Sequence, residues 1–395
     1  MTRKKLLVEP FDYELEKEAD GTFVLYVLMN QAAFFYGVEH YLSDEEAARY
    51  HREGRDCLHA IAARIRSLPG EAVPDLRDCL RRLAAGGVVA IPTETVYGLA
   101  ADAANPEAVA KIFALKGRPS EHPLIVHIEG VHVLGDWATD IPEAARKLAA
   151  KFWPGPLTMI LRKSARVPSI VTGGQDTVGL RAPSHPVAQA ILREFAREGS
   201  GGLAAPSANK FGHVSPTTIE HVLQEFGPDL PFVNGGPCAV GIESTIVDLS
   251  RGAPILLRPG AITREQLAQA LGEVLGERDA EAPRASGTLA AHYAPHAPLA
   301  LVDWRMLNVE GTQPGRIGVL ARRARIPDYE GPMWIVAPEN PVSYAHDLYA
   351  NLRKLDASGA DRIVVEAPPR EGAWEAVNDR LQRAAGGSRL EDDKP

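Results

Sequence analysis

From about Val73 onward, short apolar runs alternate with amphipathic stretches of helical period, the pattern of an α/β fold. Val88-Val89-Ala90-Ile91, Leu124-Ile125-Val126-His127-Ile128 and Leu157-Thr158-Met159-Ile160-Leu161 read as buried strands, as do Ser244–Leu249 and Ile255–Leu257. Between them the 3.6-residue spacing predicts helices over Pro106–Leu115, Glu143–Phe152, Pro186–Arg197 and Thr217–Phe226. Pro106 at the start of its helix suits the first turn, and Pro119 stops the same helix from running on.

The pattern before residue 73 is different. Nine of the twenty Phe and Tyr residues precede residue 51, and Thr22–Leu28 has strand composition. Ser43 and Glu46 form a capping-box signature ahead of a helix predicted to reach Arg66, and Leu68-Pro69-Gly70 ends it. Beyond the α/β stretch, residues 276–290 have the small, polar composition of a linker. Leu299–Val302, Ile317–Leu320 and Ile363–Val365 then read as strands, with a helix near Ser343–Ala357. The chain is thus expected to comprise an α+β module (1–68), an α/β unit (73–263), a linker (264–297), a smaller α/β unit (298–385) and a disordered tail (386–395).

Composition narrows the function classes. The 395 residues, 45% hydrophobic, suffice for two or three domains, and no apolar run approaches the ~18 residues of a membrane span. Three widely spaced cysteines argue against a disulfide framework and fit a reducing cytoplasm. The net charge of −8 disfavours a protein coated in nucleic acid while leaving room for a local basic cleft. The chain has no Gly-rich run ending in Gly-Lys-Ser/Thr, no Gly-x-Gly-x-x-Gly and no Gly-x-Ser-x-Gly. His292 and His296 have helical spacing, but Pro295 between them argues against a helix-borne zinc pair.

What remains is a set of polar residues at the ends of apolar segments. Lys116 and Arg118 follow a predicted helix, where cations either complement the macrodipole or hold an anion. Ser207 and Asn209 in Pro206-Ser207-Ala208-Asn209 are equally those of a turn. Thr93 and Thr95 suit a strand end, and His127 inside Ile125–Ile128 is as much a core histidine as a ligand contact. Glu243-Ser244-Thr245 opens an apparently buried strand, where a carboxylate needs a partner, and Arg258 ends another. Together, cations beside hydroxyls and an amide are the requirement of a polyanionic, hydrogen-bonding small molecule.

The residues from about Val73 to Thr263 closely resemble the YrdC/Sua5 family, the threonylcarbamoyl-AMP synthases. The resemblance rests on Pro92-Thr93-Glu94-Thr95-Val96-Tyr97-Gly98-Leu99, Lys116-Gly117-Arg118-Pro119, Trp153-Pro154-Gly155-Pro156-Leu157-Thr158, Pro206-Ser207-Ala208-Asn209, Glu243-Ser244-Thr245 and Leu257-Arg258-Pro259-Gly260, in the family's order and spacing. His292-Tyr293-Ala294-Pro295 is similar to the linker of the longer, Sua5-type members, and residues 298–385 to their C-terminal domain. The resemblance implies a YrdC-like twisted mixed sheet with helices, a smaller Rossmann-like α/β C-terminal domain, and a small α+β N-terminal module with no counterpart in the family.

It further implies a nucleotidyltransfer: L-threonine, bicarbonate or CO2 and ATP give L-threonylcarbamoyl-AMP and pyrophosphate. The product would pass to threonylcarbamoyl transfer proteins that modify adenosine 37 of tRNA. The family pattern puts Thr95, His127, Arg181, Ala205 and Ser244 around the threonine. It puts Lys116, Arg118, His122, Thr177, Ser207, Ser215 and Arg258 on the ATP side, with Asn209 supporting the Ser207 turn. Lys116, Arg118, Ser207 and Asn209 would be the catalytic set. Mg²⁺ would be held mainly by the ATP phosphates, with no protein metal site and no organic cofactor. His122 stands where many relatives have Asn. Ser286-Gly287-Thr288 and His292-Tyr293 would form a lid, although the Pro-Gly-Met-Lys form of that linker is missing. Three alternatives compete with this reading. One is a double-stranded RNA or tRNA-binding module using Lys111, Lys116, Arg118, Lys147, Lys151, Arg162 and Lys163. The second is the carbamoyl-adenylate chemistry of hydrogenase-maturation proteins, and the third a relative without activity.

Overall fold

A computed structural model of the chain describes residues 4–9, 13–17, 23–31, 34–42, 44–67 and 76–392. The chain forms two compact units, residues 1–75 and 76–395. In the first, strands β1 (Lys4–Glu9), β2 (Tyr13–Lys17), β3 (Phe23–Gln31) and β4 (Phe34–Tyr41) form an antiparallel meander. Its core joins Leu15, Phe23 and Leu25 to Cys57, Leu58 and Ile61. The single helix expected up to Arg66 is broken into Asp44–Glu53 and Arg55–Ser67. Gly54 between them has φ +61°, a left-handed conformation that stops the first helix. Ser43 and Leu68–Gly70 lie outside the described residues.

The second unit carries two sheets. The larger contains β5 (Val89–Ile91), β6 (Gly98–Asp102), β7 (Ile125–Ile128), β8 (Ala138–Thr139), β9 (Leu157–Lys163), β10 (Thr177–Arg181), β11 (Gly202–Ala204), β12 (Thr245–Asp248) and β13 (Ile255–Arg258). Their spatial order is β13-β12-β9-β10-β7-β11-β6-β5, with β8 on β9, and parallel and antiparallel pairs are mixed. Helices cover both faces. Pro106–Lys116 and Glu143–Phe152 pack into a core with Val126, Ile128, Leu161 and Val247. Leu76–Ala84 and Pro186–Glu198 cover Ile91, Ala100 and Leu203 on the other side.

The smaller sheet is parallel, in the order β14 (Leu299–Val302), β17 (Arg362–Glu366), β15 (Ile317–Ala321), β16 (Met333–Val336). The helices Pro341–Ala357 and Glu375–Asp392 share a core that takes in Leu320, Ile363 and Val365 of this sheet and Val96, Val214 and Ile242 from loops that join strands of the larger one. The two sheets are therefore bound through one apolar seam. Among the described residues no helix is long and apolar enough to cross a membrane.

Two boundary expectations need correction. The stretch expected to open the linker is a helix, Arg264–Leu271, with a complete capping box from Thr263 and Gln266. Its Leu267 and Leu271 are buried in the main core, which fixes it to the larger sheet. The residues expected to be a disordered tail continue the last helix as far as Asp392. Leu381 and Ala384 anchor that helix in the shared core, so its polar end simply extends an element already held.

The seam is tight at Gly241, whose φ is +81° and where an added Cβ would lie 2.2 Å from the His346 carbonyl oxygen. Gly241→Ala is expected to destabilise the second unit by about 2–4 kcal/mol, from backbone strain plus overpacking. Urea unfolding of the purified variant measures it.

Candidate active site

The larger sheet presents one face of β7 to an enclosed space. Val126 and Ile128 point into the core, so the two-residue period turns Ile125 and His127 the opposite way, into a cavity of ≈ 50 Å³. Thr95, Arg118, Arg181, Ala205, Ser207, Ser244 and Arg258 complete its wall, and Ser286, Gly287, His292 and Tyr293 come from the linker.

Each side chain is placed by local structure. Thr93 Oγ1 accepts from the Thr95 and Val96 amides and donates to the Val96 carbonyl, at 3.2, 3.3 and 2.6 Å. That hydroxyl turn aims Thr95 Oγ1 at Arg181, whose Nη1 donates to it over 2.8 Å. Arg181 stands at the end of β10 opposite His127 of β7. Its Nη2 is 2.7 Å from Glu94 Oε1 and its Nε donates to the Gly155 carbonyl. N–H groups remain on both terminal nitrogens of the fork. His127 is buried and its Nδ1 has no hydrogen-bond partner. Burial, with Arg181 beside it, pushes the imidazole down to about 3, so it is neutral at physiological pH.

The opposite wall is cationic. Gly117 adopts φ 63° and ends the helix Pro106–Lys116, and the chain turns so that Arg118 faces inward. Arg118 Nη2 donates to the Pro123 carbonyl at 3.0 Å and to Ser286 Oγ at 3.3 Å. Arg258, at the end of β13, donates to the Ser244 carbonyl through Nε (3.1 Å) and Nη2 (2.9 Å), and to the Ser286 carbonyl through Nη1 (2.8 Å). Both are buried, at 8% and 2% exposure, and neither forms an ion pair among the described residues. Burial lowers both pKa values, that of Arg118 to about 10. Ser244 Oγ lies 2.7 Å from Thr158 Oγ1.

Five of the residues assigned from the sequence stand back from this cavity. Lys116, 3% exposed, donates to the Ser207 and Asn209 carbonyls over 2.6 and 2.5 Å and so holds the Pro206–Asn209 turn from behind. Burial, with Arg118 adding repulsion, drives its ammonium well below the usual lysine range. Asn209 Nδ2 donates to the Lys210 and His213 carbonyls, and its Oδ1 is buried without a partner. Ser215 donates to Glu243 Oε1 at 2.6 Å. Thr177 opens β10 beside Arg162, and His122 packs its ring 5.4 Å from Phe211.

Sequence reasoning did not assign roles to Glu94, Glu243, Tyr349 or Arg380. Glu243 was visible as a charge opening an apparently buried strand, and Glu94 sits within the hydroxyl-rich turn Thr93–Thr95. Tyr349 and Arg380 gave no signal, because each reaches Glu243 across more than a hundred residues. Burial alone would raise the Glu243 carboxyl, but Arg380 and Arg258 outweigh it and hold it at about 2.

Comparison with known proteins establishes the family. The Sua5/YciO/YrdC family profile, described as "Telomere recombination", matches residues 81–260. A second profile, "Threonylcarbamoyl-AMP synthase, C-terminal domain", matches residues 262–386. The threonylcarbamoyl-AMP synthase of Bacillus subtilis is 40% identical over 329 residues, covering 80% of this chain and 94% of its own. This chain belongs to the Sua5 family. The Pyrococcus abyssi threonylcarbamoyl-AMP synthase is 38% identical over 320 residues, 76% of this chain and 91% of that one. The crystal structure of P. abyssi Sua5 complexed with L-threonine superposes with a TM-score of 0.72 at 34% identity, covering 79% of this chain and 94% of the other. The Sua5 relationship accounts for residues 81–386 and leaves the N-terminal meander outside both profiles.

The depressed pKa of His127 gives a pH signature. An unfolded histidine titrates near ~6.5. The folded value is about 3, so the contribution of neutral His127 is complete above the unfolded value and shrinks as pH falls toward the folded one. The slope for one such group approaches about 1.4 kcal/mol per pH unit. His292, also pushed down to about 3 by burial, adds a second. Between about pH 6 and 4, His127→Gln should flatten the plot of urea-unfolding free energy against pH by about one proton's slope.

Proposed function

We propose that this chain is a cytoplasmic L-threonylcarbamoyladenylate synthase, forming threonylcarbamoyl-AMP and pyrophosphate from L-threonine, bicarbonate or CO2 and MgATP. The observation that carries this reading is the convergence of buried, unpaired Arg118 and Arg258 on a cavity whose other side holds Thr95, neutral His127 and Arg181. Desolvated cations without carboxylates are built to receive an anion, and two of them suit a polyphosphate. Under this reading the smaller sheet is a Rossmann-like accessory domain, and residues 1–68 are a catalytically silent addition.

The chemistry requires no protein nucleophile. The threonine amine adds CO2 to give a carbamate. A carbamate oxygen attacks the α-phosphorus of ATP, the bond from that phosphorus to the bridging oxygen breaks, and pyrophosphate leaves. Arg118 and Arg258 hold phosphate oxygens and stabilise the charge that builds on them. Arg181, braced by Glu94 and Thr95, offers its remaining N–H groups to the threonine carboxylate. Neutral His127 adds no second positive charge beside Arg181. Lys116 and Asn209 act from behind, fixing the turn that carries Ala205 and Ser207. Mg²⁺ arrives with ATP. Under this reading the ATP phosphates hold it, since Glu94 pairs with Arg181 and Glu243 with Arg380, Tyr349 and Ser215. The product would pass to threonylcarbamoyl transfer proteins acting on tRNA.

Seen from the cavity, the linker is closed. A space of ≈ 50 Å³ holds a few waters rather than a nucleotide, and Ser286 occupies the donors of both arginines. ATP must displace Ser286–Gly287, and re-closure then excludes water from the carbamate and the adenylate.

The alternative, a double-stranded RNA or tRNA-binding face, loses two of its cations to this geometry. Lys116 and Arg118 are buried and face inward, and Lys111 and Lys163 donate to backbone carbonyls at 2.6 and 3.0 Å.

Two experiments test the reading. Pyrophosphate release with MgATP and bicarbonate should depend on L-threonine and fall on the order of 100-fold in Arg118→Ala, the size of losing a preorganised anion donor. Threonine-independent release would sink the synthase reading. Deleting residues 284–296 should lower turnover at least about tenfold while far-UV circular dichroism stays unchanged, and full activity in that deletion would rule out the lid.

A further inference from the structure

Glu243 borders the cavity at the start of β12, yet two of its partners belong to the C-terminal helices. Its Oε2 accepts from Arg380 Nε and from the Tyr349 hydroxyl, both at 2.8 Å, while Oε1 takes the Ser215 hydroxyl. Arg380 is fully buried, and its Nη1 is held by Asp379 Oδ2 at 2.5 Å. The same guanidinium stacks on the ring of Tyr293 at 5.3 Å, and the Tyr349 ring lies 5.6 Å from Tyr293. Tyr293 is therefore gripped between two side chains that both report to Glu243.

The grip has a physical purpose. Tyr293 has φ +63°, a left-handed conformation costly for an aromatic residue and maintained only by its surroundings. The last helix adds two further holds on the same segment. Arg383 donates from its side chain to the Leu289 carbonyl, and its own carbonyl accepts from the His292 amide at 3.2 Å. Asp379 accepts from Arg383 as well as from Arg380, which makes one carboxylate the brace for both arginines.

We propose that Arg380 is a positioning residue for the synthase reaction, locking the linker over the cavity by clamping Tyr293 against Glu243. It touches no substrate. It acts by tying the closed position of Ser286–Tyr293 to the docking of the last helix, so that the smaller sheet serves catalysis by keeping water from the adenylate. The inference rests on the synthase reading for its chemical consequence but not for its structural one.

The test uses the full chain. Arg380→Met alone leaves Glu243 buried without its cation and risks unfolding, so the informative variant is Glu243→Gln/Arg380→Met, which removes both charges and keeps the Ser215 and Tyr349 hydrogen bonds. Hydrogen–deuterium exchange should speed up at least about tenfold in peptides spanning residues 286–294 and stay unchanged in β9 and β12. In initial-rate assays with MgATP, bicarbonate and threonine, the variant should release a several-fold larger fraction of product as AMP. Water admitted to the site cleaves threonylcarbamoyl-AMP to AMP and N-carboxythreonine, which loses CO2. That fraction is independent of how much of the sample is active, so a merely structural defect does not move it. Linker exchange equal to wild type would overturn the proposal, as would faster exchange with an unchanged AMP fraction. A wild-type chain with no threonine-dependent pyrophosphate release would defeat the synthase reading instead, and linker exchange would then decide the clamp by itself.

Discussion

Among the described residues, Arg118, Arg258 and Lys116 are each removed from water without forming an ion pair, and the folded chain meets that cost with backbone carbonyls and hydroxyls. Carbonyl dipoles recover only part of the hydration of a full charge, and the shortfall for a buried ion is on the order of several kcal/mol. The lowered pKa values of all three cations express that shortfall. A pairing carboxylate would remove it, as Glu94 does for Arg181 and Glu243 for Arg380, but it would also remove the attraction for an incoming phosphate. The site separates two kinds of arginine on this basis. The paired ones brace the cavity wall, and under the synthase reading the unpaired ones are free to receive phosphate.

The linker solves the problem that this arrangement creates in the absence of ligand. Ser286 supplies a hydroxyl to Arg118 and a carbonyl to Arg258, contacts that resemble those of phosphate oxygens but are weaker because they carry no net charge. A phosphate can therefore displace them. Under the synthase reading, the segment that now satisfies the cations would become the cover over bound ATP.

Much of the scaffold was legible in the sequence because its signals are local. The strands containing Val89–Ile91, Ile125–Ile128 and Leu157–Leu161 are short, mostly apolar runs, and the helix at Pro106 carries its own start signal. β6, β10 and β11 escaped notice because Gly98-Leu-Ala-Ala-Asp, Thr177-Val-Gly-Leu-Arg and Gly202-Leu-Ala have little intrinsic strand preference. They are strands because neighbours pair with them on both sides. The site divides in the same manner. Residues just beyond the end of an element, such as Arg118, or at a strand end, such as Thr95 and Arg258, could be picked out by type and position, whereas the retreat of Lys116 behind the Ser207 turn depends on a contact spanning 91 residues.

Glu243 shows why the C-terminal sheet belongs to the same machine as the cavity. A carboxylate at that place, left to the larger sheet alone, would face Arg258 and neutralise one of the two cations reserved for phosphate. Arg380, 137 residues away in sequence, takes Glu243 into an ion pair of its own, while Arg258 still feels that carboxylate at longer range. Arg258 is consequently left to carbonyls, which a phosphate can outcompete. The stacking of Tyr293 on that same guanidinium then links charge partition to linker position. Under the synthase reading, one buried arginine on the last helix would draw Glu243 away from the phosphate site and also hold the segment that closes over it.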